Sequence, residues 1–191
     1  MRKGPLLAAV ATALVLTGCS SGSSSVAVDN GGEFRFQQVT PAGSVIPVGD
    51  RRAAPTFSGK LLDGSAFSST ALAGDVAVLN FWGSWCAPCR VETPEFQQVY
   101  DDVHPRGVQF LGLNVKDQEQ LATAFVQSKG ITFPSVYDPK GQVALAFRDY
   151  PANAIPSTIV LDTKGRVAAV YTSEVRTDDL RTVLDQVLKE A

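Results

Sequence analysis

Val76-Ala77-Val78-Leu79-Asn80-Phe81-Trp82 is a nearly continuous apolar run that ends just ahead of Cys86-Ala87-Pro88-Cys89. Beyond the cysteines, Phe96, Val99, Tyr100 and Val103 recur at i, i+3, i+4 and i+7, the spacing of one buried helix face. A strand apolar on both of its alternating faces belongs inside a sheet covered by helices. This one stretch therefore predicts a central strand, a tight junction carrying two thiols, and a helix, and it directs the chain towards an α/β architecture. Pro94 falls inside the helix, where it lacks an N–H and is expected to kink the axis.

The flanking segments extend the pattern. Val108 to Val115 reads as the next buried strand, and Leu121, Ala124 and Phe125 as a second helical face, with Asp117 and Glu119 at its start where the helix dipole favours acids. Strand, helix, strand, helix implies parallel pairing through right-handed crossovers. Phe133 to Tyr137 is a short extended piece ended by the turn Asp138-Pro139-Lys140-Gly141, and a short helix is expected over Val143 to Phe147. Ala154 to Asp162 and Arg166 to Tyr171 are joined by so short a turn that they must run antiparallel. Leu180, Val183, Leu184, Val187 and Leu188 form a closing helix face, with Thr177 as its expected N-cap. Ahead of the central strand, Lys60 to Phe67 reads as a hairpin about Asp63-Gly64, and Leu72 falls in a single helical turn. Phe34, Phe36 and Val39, then Val45 to Val48, give a weaker period-two signal, expected as an N-terminal β-hairpin extension or an arm lying on the domain.

At 191 residues the chain holds one core of ordinary size, so one domain with appendages is expected. A formal charge of −2 and no clustered Lys or Arg argue against a nucleic-acid partner. Arg2 and Lys3 precede an apolar run from Leu6 to Leu16 that is too short to span a bilayer, the pattern of an export signal. Leu16-Thr17-Gly18-Cys19 then resembles the bacterial lipoprotein cleavage box, in which the cysteine becomes a lipid-bearing N-terminus. The competing reading is an ordinary secreted chain with an incidental cysteine. Removal of residues 1 to 18 deletes two of the 17 basic residues against 19 acids, leaving −4, which disfavours a polybasic membrane patch. Attachment would rest on the lipid. The Ser- and Gly-rich stretch after Cys19 has nothing to bury and reads as a flexible tether over residues 19–33, followed by an extension over 34–54 and the folded domain over 55–191.

A thiolate attacks a disulfide far faster than a thiol does, so the site must stabilise a sulfur anion. Cys86 falls where strand gives way to helix, and unpaired backbone N–H groups there favour its anion. Cys89, one turn later, is expected to be more buried and to resolve a mixed disulfide formed at Cys86, while Pro88 restricts the turn between them. Three other readings compete. Zinc needs about four ligands, and one Cys-x-x-Cys with the lone His104 cannot supply them. A c-type haem site needs a histidine after the second cysteine, where Arg90 stands. A purely structural disulfide leaves the helix start and its tryptophans unexplained. His104, followed by Pro105, reads as a solvated residue at a helix end.

Trp85-Cys86-Ala87-Pro88-Cys89 after a buried strand resembles the active site of the thioredoxin superfamily, and Leu79 to Cys86 resembles its TlpA and ResA branch. The likeness covers about residues 55 to 191. It implies a thioredoxin-like fold, a central mixed β-sheet with helices on both faces, and a TlpA-type central insertion over Asp117 to Phe147. Ile155-Pro156 matches the family's cis-proline loop, which packs beside the cysteines and offers backbone hydrogen bonds to a bound substrate chain. Pro94 matches its helix-kinking proline. Glu92, three residues past Cys89, matches a ResA-type glutamate that influences thiol acidity; the alternative is a solvated helix acid. One departure is Asn80, where thioredoxins place a buried aspartate that accepts a proton from the resolving cysteine. An amide cannot do this, and water or Glu92 is left for the role.

The resemblance implies a lipid-anchored, extracytoplasmic thiol-disulfide oxidoreductase that needs no cofactor and exchanges disulfides with exported proteins. It implies a reductant, for example of apocytochrome c thiols, regenerated by a transmembrane thiol carrier. Some relatives instead act as oxidants, and the dipeptide Ala87-Pro88 does not separate the two, because about 30 mV corresponds to ~1.4 kcal/mol. Rival classes are a thiol peroxidase, against which Trp-Cys-x-x-Cys argues, and a redox-inert binding or chaperone module on the tether.

Overall fold

The protein is described by a computed structural model over residues 39–150 and 152–190. The signal expected over 1–18, Cys19, the tether to residue 33 and residues 34–38 of the extension lie outside the described residues. The chain forms β1 (Ser58–Leu61), β2 (Ala66–Ser68), β3 (Val76–Trp82), α1 (Ala87–Val103), β4 (Val108–Val115), α2 (Glu119–Ser128), β5 (Ser135–Asp138), α3 (Gln142–Ala146), β6 (Ser157–Leu161), β7 (Val167–Tyr171) and α4 (Thr177–Lys189). These build a seven-stranded mixed sheet in the order β2-β1-β5-β4-β3-β6-β7. β3, β4 and β5 run parallel, while β6 and β7 continue the sheet antiparallel to β3. α2, β5 and α3 fill the expected central insertion, and β5 extends the parallel core towards the β1–β2 hairpin. That hairpin turns at Asp63-Gly64, where Gly64 takes φ 91° and Asp63 accepts the amide and hydroxyl of Ser65.

All seven residues of β3 are buried, and they alternate between two cores. Val76 and Val78 face α1 and α4, packing with Phe96, Val99, Val103, Leu180, Val183, Leu184 and Val187. Ala77, Leu79 and Phe81 face the other way, onto Val143 and Phe147 around α3. Each such fully buried Leu, Val or Phe contributes about 1.5–3 kcal/mol of transfer free energy. Asn80 and Trp82, by the same alternation, fall on the α1 side of the sheet.

One alternative left open is decided and two local expectations are corrected. Over residues 39–54 the extension is the arm of the two alternatives and not the hairpin: Thr40 and Ile46 donate their amides to Val170 and Ala168 of β7, and Ala53 forms an isolated bridge to Arg166. Pro41 and Pro47 lack the N–H groups that a second ladder needs. In α2 the buried face is Ala122, Phe125 and Val126, whereas Leu121 and Ala124 are exposed, because the short helix turns the i, i+3, i+4 set one residue on from the expected one. In α4 the N-cap is Arg176 without a side-chain cap, and Thr177 is the first helical residue. His104 caps α1, exposed and stacked at 4.7 Å on Tyr100. Among the described residues no helix is long and apolar enough to cross a membrane.

The arm is tied down by a residue that carries no motif. Arg51 is buried, its Nη1 3.3 Å from Asp162 and its Nη2 2.6 Å from Glu190, beyond the last turn of α4, while its Nε donates to the Ile46 carbonyl. Asp162 also holds Arg166 and the amides of Lys164 and Arg166 across the β6–β7 turn. These hydrogen bonds outweigh burial and keep the Asp162 carboxyl below its ordinary range.

Candidate active site

The site is built where β3 ends and α1 begins. Cys86 is the N-cap of α1 in extended conformation, and its Sγ accepts the Cys89 amide at 3.3 Å. Pro88 follows in the first turn, where a missing N–H costs no helical hydrogen bond. The two cysteines are joined as a disulfide with Cα atoms 5.3 Å apart. Both are largely covered, Cys86 at 4% exposure and Cys89 at 0%, so Cys86 is the one with an edge to solvent.

Trp85 stands beside the pair, half exposed, with its indole N–H donating to the Val115 carbonyl at 3.2 Å. That position requires Gly83: a Cβ there would stand 2.5 Å from the indole nitrogen. The loop beneath is clamped by Asp117, whose carboxylate accepts the Ser84 amide at 2.5 Å, the Ser84 hydroxyl at 2.8 Å and the Asn114 side-chain amide at 2.9 Å. Arg90 donates to the Ser84 carbonyl and lies 5.7 Å over the Phe125 ring.

Ile155-Pro156 arrives from the opposite strand. Ser157 pairs with Phe81, which places Pro156 beside the end of β3, and the Ile155–Pro156 peptide is cis. Ile155 packs on a small cluster formed by Trp82, Cys86, Cys89, Ala122 and Phe125.

Behind the cysteines lies a buried carboxyl. Glu92 is fully covered on α1, one turn past Cys89 on the same inward face, so the reading as a solvated helix acid fails. Its Oε2 accepts the Asn80 amide at 3.0 Å, and its Oε1 accepts the backbone N–H of Val175 at 2.8 Å. Asn80 also donates to the Thr158 hydroxyl at 3.3 Å, while among the described residues its own Oδ1 has no partner. Burial pushes the Glu92 carboxyl up from 4.5 to about 7; the hydrogen bonds from Val175 and Asn80 oppose the rise, and the negative charges of Glu174 and Glu95 add to it.

The structure thus brings Cys86, Cys89, Trp85, Pro88, Ile155, Pro156, Glu92 and Asn80 to one junction, and Cys19 lies outside the described residues. Asp117, Ser84, Thr158 and Val175 belong to the same arrangement without any motif to announce them. Asp117 read as a helix-dipole acid; the signal for its clamp was its place directly after a buried strand parallel to β3, where its carboxylate meets the loop leaving that strand.

A thioredoxin-like sheet with a Cys-x-x-Cys disulfide at the N-terminus of a helix and a cis-proline beside it defines a thiol-disulfide oxidoreductase. The chain belongs to the AhpC/TSA family, whose model matches residues 51–170. It is 32% identical over 134 residues to the thiol-disulfide oxidoreductase ResA of Geobacillus thermodenitrificans, covering 70% of this chain and 75% of that one. Among solved structures it is similar to a DsbF homologue from Corynebacterium diphtheriae, with 37% identity, a TM-score of 0.72, and coverage of 79% of this chain and 98% of that one. A secreted thiol-disulfide isomerase from Corynebacterium glutamicum gives 34% identity, a TM-score of 0.73, and coverage of 81% and 98%.

Proposed function

We propose that this oxidoreductase works outside the cytoplasm as a lipid-anchored reductant of disulfides in exported proteins, apocytochrome c being one example, with Cys86 as nucleophile and Cys89 as resolving thiol. The Cys86 thiolate, held at the α1 amides, attacks one sulfur of the client disulfide. That S–S bond breaks, the released client sulfur takes a proton, and a Cys86–client disulfide forms. Cys89 then gives its proton to the Glu92 carboxylate or to water and attacks Cys86 Sγ. The Cys86–Cys89 bond forms, the second client thiol leaves, and two electrons have passed to the client. A transmembrane dithiol carrier restores the pair by the reverse exchange.

The observation that carries the reductant reading is Glu92, buried on the inward face of α1 one turn past Cys89. A carboxyl there gives no stabilisation to a thiolate at Cys89, so the reduced pair lacks the stabilisation that makes a strong oxidant, which favours electron donation. The location rests on the export signal and on Leu16-Thr17-Gly18-Cys19, and likeness to a secreted isomerase supports an extracytoplasmic site. The same likeness favours a second reading, in which the pair introduces or reshuffles disulfides in exported proteins. The equilibrium potential of the Cys86/Cys89 couple separates the two. A value near that of thioredoxin, about −270 mV, supports the reductant, and one near about −120 mV overturns it in favour of an oxidant. Loss of membrane association in Cys19→Ser tests the anchor.

A further inference from the structure

A groove of about 500 Å³ opens directly beside the cysteine pair, between Trp85 and Ile155 on one side and the α3 region on the other. Its apolar wall is made by Trp85, Val115, Ala144, Leu145 and Ile155, of which Leu145 is 63% exposed and Trp85 54%. Its charged lining is of one sign: Lys116, Lys140 and Arg148 contribute, and no carboxylate does. All three cations are exposed, and among the described residues none of them forms an ion pair. Two neighbouring acids are occupied elsewhere: Asp117 clamps Ser84 and Asn114, and Asp138 accepts the amides of Gln142 and Val143 at the start of α3; a third, Asp149, is exposed between Arg148 and Tyr150 but does not line the groove. Lys116 is also held at φ 51°, a left-handed conformation that a lysine rarely adopts, immediately before the Asp117 clamp. The chain as a whole carries an excess of acids, so a wholly cationic lining at this one place runs against the protein's own charge.

Resting on the exchange reading above, we propose that this groove selects clients by charge: it docks an extended client segment in which Asp or Glu side chains flank the reacting cysteine next to an apolar residue. The apolar residue lies against Leu145 and Ile155, and the carboxylates meet Lys116, Lys140 and Arg148. Charge complementarity of this kind raises the rate of encounter and fixes register, and salt weakens it.

The test uses the reduced full-length protein in stopped flow with two cysteine peptides, each carried as its mixed disulfide with 2-mercaptoethanol. The peptides differ only in two Glu or two Lys beside the cysteine. At about 20 mM salt the acidic peptide reacts about tenfold faster, and at about 300 mM the ratio falls to about two. In Lys140→Gln/Arg148→Gln the ratio falls likewise at low salt, with the far-ultraviolet circular dichroism of the parent. Should that variant not fold, the salt dependence of the parent decides. Equal rates for the two peptides, or a preference that survives both salt and the double substitution, overturn the proposal. So does a preference that varies with protein concentration, which assigns the groove to a second copy of this chain, or the absence of any preference alongside Lys140- and Arg148-dependent binding to phosphatidylglycerol vesicles, which assigns it to a lipid surface. Failure of the parent to react with neutral bis(2-hydroxyethyl) disulfide strikes the exchange reading itself and not the charge selection.

Discussion

Replacing Glu92 by glutamine should stabilise the oxidised protein at alkaline pH and leave it nearly unchanged in acid. The carboxyl is raised from 4.5 to about 7 in the folded chain, chiefly by burial. The folded state therefore holds a proton that the unfolded state has released, and stability falls as pH rises from about 4.5, with the loss complete above about 7. At 1.36 kcal/mol per pH unit that gap is on the order of 3 kcal/mol, of which about 2.5 kcal/mol develops between pH 5 and pH 8.5. Glutamine removes the titration and keeps the shape. Its Oε1 accepts the Val175 amide, and its Nε2 can donate to the Asn80 Oδ1, unpartnered as the amide stands, once that amide rotates. The Thr158 hydroxyl, now an acceptor from Asn80, can turn to donate to the rotated amide. Urea unfolding of parent and Glu92→Gln, both oxidised, followed by tryptophan fluorescence at about pH 5 and about pH 8.5, measures the effect. The variant should gain about 2–3 kcal/mol relative to the parent between the two conditions. A difference between the proteins that does not change with pH would refute the assignment of a raised carboxyl to Glu92.

Further outcomes follow from the same geometry. Cys86→Ser should abolish exchange with protein disulfides, whereas Cys89→Ser should still attack and accumulate a client-bound mixed disulfide visible on non-reducing gels. If Glu92 takes the proton of Cys89, Glu92→Gln should move the pH profile of the resolving step, read in single-turnover reduction of a model disulfide; an unchanged profile removes the glutamate from that role. Asp117→Ala leaves the Ser84 amide and the buried Asn114 amide without their acceptor and should cost about 3 kcal/mol, with a change in Trp85 emission as the loop loosens. Arg51→Met breaks a buried ion pair but leaves Asp162 held by Arg166, so the loss should lie near the lower end of the range for such pairs, about 3 kcal/mol, read from the urea midpoint.

The elements legible in the sequence were those fixed by periodicity. β3 and β4 declared themselves as apolar runs, α1 and α4 by their helical faces, and the Asp63-Gly64 hairpin by turn chemistry. Cys86, Cys89 and Pro88 were legible because their types and spacing carry the chemistry locally, and Ile155-Pro156 through its likeness to the family's cis-proline loop. What escaped was set by contacts distant along the chain. Arg51 resembles any surface arginine until β7 and the end of α4 close over it, and Asp117 resembles a dipole acid until β4 lies beside β3. The arm followed the same rule, since the period-two signal of Val45 to Val48 fits an edge lying on β7 as well as it fits a hairpin.

Asn80 joins the local and distant terms. It sits on the α1 side of β3, the position at which an aspartate would place a second carboxyl against Glu92, and two carboxyls so close cannot both ionise. With an amide there, Glu92 is the one carboxyl buried behind Cys89 among the described residues, and the Asn80 N–H holds one of its oxygens in place while Val175 holds the other. A proton leaving Cys89 meets one acceptor whose affinity for it is tuned by burial to about 7, near neutral pH. On the proposed mechanism, Glu92 would then take the proton that an amide at position 80 cannot accept. A chain carrying Asn80→Asp with Glu92 retained should split the titration of the pocket, read as oxidised-state stability against pH: the first proton leaves no later than it does from Glu92 alone, because the neutral partner can donate a hydrogen bond to the anion, and the second leaves well above that pH.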